Sequence, residues 1–194
     1  MIIEHPWNWF GPSDSKTLLI GTFPPTPNNW SFDFFYPNKS NFFWRVIAAA
    51  ANKPLEFITG EAAVNERKAL LDELKLTVTD MGKSIRRLRN NSLDENLELV
   101  SFMEIETILH EKPGINKIIF TSSSGKSSAA KWFQQYVTQL HIYHKFPKGN
   151  KPIKSEIILA NRKIELVILY SPSARAANRI TFERLTDLYK TEIL

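Results

Sequence analysis

Apolar residues fall in short blocks along the chain, and their period changes from block to block. The run "KTLLIGTF" (residues 16–23) is almost continuously apolar and ends at a Pro pair, which predicts a buried strand opening into a loop. That loop, about residues 24–40, is rich in Pro and Asn and longer than compact domains use for idle connections. From Asn41 the stretch "NFFWRVIAAAANK" predicts a helix, and "GEAAVNERKALLDELKL" from Gly60, with apolar residues three and four apart, predicts a second. "LTVTDMG" reads as a strand and "RRLRNNSLDENLE" as a polar loop. A helix over about residues 102–111, a strand "NKIIFTSS" from Asn116 and a helix "SAAKWFQQYVTQL" follow. "KSEIILANRKIELVILYSPS" reads as a hairpin turning at Asn161 and Arg162, with a last helix starting near Ala174.

Strands alternating with helices call for an α/β fold with a mostly parallel central sheet, helices on both faces, and functional loops at the carboxyl ends of the strands. A chain of 194 residues, 43% apolar, fills one core, so a single domain over residues 1–194 is expected. The start "MIIEHPWNWFGPSD" lacks the layout of a secretory signal, and no apolar run is long enough to span a bilayer. A soluble cytoplasmic protein, monomeric and without membrane contact, is therefore expected. Absence of cysteine removes thiol nucleophiles and Cys-type zinc sites. A net charge of +5 suits a polyanionic partner without specifying one.

Candidate chemistry is sparse. "TSSSGKSS" (residues 121–128) sits between a strand and a helix like a phosphate-binding loop, but Phe120 stands where that motif needs glycine. A Ser-rich helix start with Ser124 and Lys126 can still hold one backbone phosphate, or simply cap the helix. Arg86 and Arg89, in the polar loop, are further candidates for phosphate contact or plain solvated charges. The four histidines carry no metal-ligand spacing and read as packing or surface residues; no metal is expected. Asn41, flanked by rings, is either a helix cap or an amide aimed into a site where a flat ligand stacks.

Four segments in chain order resemble the uracil-DNA glycosylase superfamily, in particular its mismatch-specific and hypoxanthine (deoxyinosine) DNA glycosylase branches. They are "GTFP" (residues 21–24), Tyr36 with "NFFW" (residues 41–44), "TDMGKSIRRLRNNSLDENL" (residues 79–97) and "SPSAR" (residues 171–175). The resemblance implies a three-layer α/β/α sandwich that flips a deaminated base, uracil or hypoxanthine, out of DNA and removes it by monofunctional hydrolysis without a cofactor. It implies a base pocket at Gly21, Phe23, Phe35 and Tyr36, catalysis by Asn41, and a late turn with Ser171, Ser173 and Arg175 entering the minor groove. Two positions depart from the family: its first-loop Asn or Asp falls on Phe23, and its later His or Asn on Ser171. Those departures keep open a nucleic-acid-binding protein that has the fold and lacks the chemistry.

Overall fold

A computed structural model describes residues 1–89, 93–174 and 179–194. Its central sheet has six strands. In chain order these are β2 (Trp9–Phe10), β3 (Thr17–Gly21), β4 (Leu76–Asp80), β7 (Lys117–Phe120), β8 (Ile153–Leu159) and β9 (Arg162–Ile168), arranged β2-β4-β3-β7-β9-β8. The inner four are parallel; β2 and β8 are antiparallel edges, so the sheet is mixed. A second, antiparallel sheet joins β1 (Ile2–Glu4), β5 (Gly82–Arg87) and β6 (Leu97–Phe102) in the order β1-β5-β6.

The inner strands are buried on both faces and successive residues serve opposite cores, as the two-residue pleat requires. Leu18 and Ile20 of β3 pack into one cluster with α3 (Ile105–Glu111) and α4 (Ala129–Gln139). Leu19 packs into the other, with α1 (Phe43–Ala50), α2 (Gly60–Leu74) and α5 (Phe182–Ile193). Helix α1 buries Phe43, Trp44, Val46, Ile47, Ala48 and Ala50, nearly its whole circumference, because it lies between the sheet and α5. Helix α5 begins at Phe182, later than the expected start near Ala174, because Thr181 caps it by accepting from the Arg184 backbone N–H at 3.3 Å.

Two predicted features change. The segment expected as a polar loop after β4 instead holds the end of β5, a 3-10 turn at Asp94–Asn96 and the start of β6. The hairpin of β8 and β9 turns at Ala160 and Asn161, both with positive φ, so Arg162 already belongs to β9. The register explains how the site is assembled: Gly21 stands beside Asp80, Ile20 beside Phe120, and Phe120 beside Ile168. Four parallel strands thus end at one rim, and the loops that follow them open on the same side.

Candidate active site

The loop after β3 is held from below. Gly21 O accepts from Met81 N at 2.9 Å, and Arg87 Nη2 donates to Pro24 O at 2.6 Å. The aromatic loop is packed as tightly as a core: Trp44 Nε1 donates to Phe35 O at 2.8 Å, Ser31 N to Pro37 O at 2.9 Å, and the Arg67 guanidinium lies over Phe32. The loop after β9 joins it where Phe42 N donates to Pro172 O at 2.8 Å. These bonds gather three sequence-distant segments into one rim.

A cleft of about 280 Å³ opens there, lined by Phe23, Tyr36, Asn41, Asp80, Thr121 and Ser171 among others. Tyr36 stacks face to face on Phe43, with ring centroids 3.7 Å apart and planes 10° apart. Its hydroxyl is bonded to Thr121 Oγ1 at 3.0 Å. Burial, reinforced by the Asp80 charge, pushes its phenol well above the ordinary value, so it stays protonated. Tyr36 also carries a φ of 51°, unusual for a bulky residue and the kind of backbone strain that accumulates at functional positions.

Asn41 lines the same cleft, and its Oδ1 accepts from Phe43 N at 2.9 Å. The cap and the cleft positions therefore coexist: the oxygen serves the helix, and among the described residues Nδ2 has no protein partner. A larger depression of about 470 Å³ also touches Tyr36 and Asn41 but draws most of its lining from α1 and the segment between α1 and α2, away from the strand ends. The strand-end cleft is the better reaction site because polar groups of four loops converge there.

Other expected site residues are placed unevenly. Gly21 lies at the cleft floor in close packing: a Cβ there would stand 2.1 Å from Asp80 Oδ1 and 2.7 Å from Tyr36 Oη, so only glycine fits. Phe23 is mostly buried and borders the cleft. Phe35 is a correction: at 1% exposure it packs on His5, Trp7 and Phe34 and offers no face to a ligand. Its ring is drawn inward because the aromatic loop folds onto the core. Arg86 is exposed on the second sheet and pairs with Glu98 at 3.6 Å; Arg89 is exposed beyond the end of β5. Lys126 is exposed, while Ser124 lines a depression of about 210 Å³ beside the cleft. Ser171 and Ser173 line both depressions, and Arg175 lies outside the described residues.

Sequence reasoning missed four residues here. Lys151 and Arg179 meet Ser124 in that side depression, where burial and the Arg179 charge lower the Lys151 pKa. They lie in stretches with no recognisable motif. Asp80 borders the cleft at the end of β4, and His5, read as a packing histidine, bonds to it. The signal for Asp80 was its place at the carboxyl end of a parallel strand; 75 residues separate it from His5, and nothing local links them.

No protein-family profile and no curated protein matches the chain. Among solved structures, the solution structure of a "putative Uracil DNA glycosylase" from Methanosarcina acetivorans matches with a TM-score of 0.63 at 15% sequence identity, covering 98% of each chain. The chain has the fold of that protein over its full length. Among the described residues no helix is long and apolar enough to cross a membrane.

Proposed function

We propose that this protein is a DNA glycosylase of the uracil-DNA glycosylase type, a single three-layer α/β/α domain that hydrolyses the N-glycosidic bond of uracil or hypoxanthine in DNA. The observation that carries the reading is the convergence of residues 21–24, Tyr36 with Asn41, and residues 171–174 on one cleft. The fold likeness supports it independently of those residues. In this reading the base leaves the duplex and stacks on the cleft-side face of Tyr36, bordered by Phe23, while Asn41 Nδ2 donates to a base carbonyl. That donor stabilises the negative charge the base gains as the bond breaks. Arg86, Arg89, Ser124 and Lys126 serve the phosphate backbone, Ser171 and Ser173 belong to the turn that enters the minor groove, and Arg175 is a DNA contact.

Phe23 and Ser171, which stand where the family places catalytic side chains, favour a second reading: a protein that binds nucleic acid and excises nothing. One assay separates the two. End-labelled duplexes carrying uracil, hypoxanthine, xanthine or mismatched thymine are incubated with excess protein and treated with alkali. Strand scission at uracil or hypoxanthine is expected. Binding without scission on any substrate supports the second reading instead.

A further inference from the structure

The cleft floor holds a carboxylate that the proposed chemistry has not yet used. Asp80 is 5% exposed, and among the described residues its side chain has no Arg or Lys partner, only His5 Nε2 at 2.9 Å from Oδ2. His5 Nδ1 accepts from Trp7 N at 3.1 Å, so the ring proton sits on Nε2 and the imidazole is neutral while it donates to Asp80. The ring cannot swing, because Trp7, Phe23 and Phe35 enclose it at centroid distances of 5.7, 5.2 and 5.7 Å. Strand β1 supplies this clamp: Ile3 pairs with Ile85, and His5 N donates to Lys83 O at 2.8 Å.

A buried carboxylate facing a neutral partner is costly to keep and adds little stability, so its retention asks for another explanation. The second oxygen gives one. Oδ1 lies against Gly21 on the side of the Tyr36 hydroxyl, and Asp80 borders the cleft. The histidine thus orients one oxygen and leaves the other to the cavity, next to the ring on which the base stacks.

We propose that Asp80 is a catalytic residue of the glycosylase reaction, the base that activates water, and that His5 is its positioning residue. The assignment rests on the glycosylase reading. It moves the carboxylate absent at Phe23, in the loop after β3, to the end of the neighbouring strand. In the step, water oxygen bonds to sugar C1′ while the C1′–N bond breaks and its electron pair departs on the base. The water proton passes to Asp80 Oδ1 and then to solvent, and the departing base anion takes up a proton from solvent, leaving free base and an abasic sugar. Before that transfer the anion also faces the positive character developing on the sugar.

The test compares single-turnover excision and duplex affinity for the wild-type protein, Asp80→Asn, and the pair His5→Gln and His5→Leu. Asp80→Asn keeps shape and is expected to lose about 10² to 10³ in rate, within the range for a general base, with affinity changed by a few fold at most. His5→Gln, whose amide can still donate to Oδ2, is expected to keep more of the rate than His5→Leu at equal affinity. Should Asp80→Asn fail to fold, the His5 pair decides: equal rates for Gln and Leu reject the clamp and the assignment with it. A folded Asp80→Asn that excises at the wild-type rate overturns the assignment and leaves the glycosylase reading intact. A wild-type protein that releases no base from any duplex overturns both.

Discussion

Tyr36 lies flat on Phe43, 3.7 Å between centroids, so the first ring of α1 backs the ring that borders the cleft. The backing fixes the Tyr36 plane before any ligand arrives, which lowers the entropic cost of stacking a base on its other face. Tyr36→Ala is expected to weaken lesion-duplex binding by about 1–3 kcal/mol, the usual worth of one base–aromatic stack. Tyr36→Phe keeps the stack and loses only the bond to Thr121, a stability cost of about 1 kcal/mol. Equal affinities for Ala and Phe variants in a fluorescence titration would reject stacking at this ring.

Asn41 offers a cleaner separation of roles, because its two amide atoms do different work. Asn41→Asp keeps the oxygen that accepts from Phe43 N, so its melting temperature stays near wild type, but it removes the NH₂ donor. Excision is expected to fall by about 10² to 10³. Asn41→Ala loses both, adding a stability cost of about 1 kcal/mol. An aspartate variant that folds and excises normally shows Asn41 to be a cap alone.

Gly21→Ala tests how closely the floor is packed. Its Cβ meets Asp80 Oδ1 and Tyr36 Oη, and both belong to side chains held by other bonds. Overpacking of this kind costs about 1–3 kcal/mol. Thermal melting should show that loss, and excision should fall because both cleft groups are displaced. Unchanged melting and rate contradict the packing described.

Lys151 and Arg179 place two cations in the serine-lined side depression. A backbone phosphate there would relieve their repulsion. Each alanine variant is then expected to reduce the magnitude of the slope of log affinity against log salt by about 0.9 on duplex DNA, for every sequence alike. A slope that both substitutions leave untouched excludes this phosphate contact.

Alkaline stability follows from three buried phenols. Burial pushes the Tyr136 pKa up to about 12 and raises Tyr36 and Tyr189 as well. The unfolded chain gives up these protons near the ordinary value of about 10. Above that pH the unfolded state holds fewer protons than the native one, so stability falls as pH rises from about 10 towards 12. Melting temperature followed through the alkaline range should drop, and the drop should be shallower in Tyr136→Phe. A flat profile contradicts it.

Elements whose burial is written in local period were legible from the chain alone. The continuous apolar runs of β3, β4 and β7 needed no context, because a strand covered on both faces has no polar side to show. Helices α1, α2, α3 and α4 were likewise legible, and so were the three loops of the cleft, since proline and glycine mark where strands must stop. Strands β1, β2, β5 and β6 were not. "IIE", "WF", "GKSIRR" and "LELVSF" are short or half-exposed; β5 and β6 pair with each other, while β1 and β2 find partners only far along the chain, Ile3 with Ile85 and Trp9 with Thr79. That long-range pairing carries His5 to Asp80. It also settles which rings face the cleft, for Phe35 and Tyr36 are neighbours in sequence, yet one closes the core and the other borders the site. Local pattern fixes what a segment can bury; only packing against distant segments decides which face it presents.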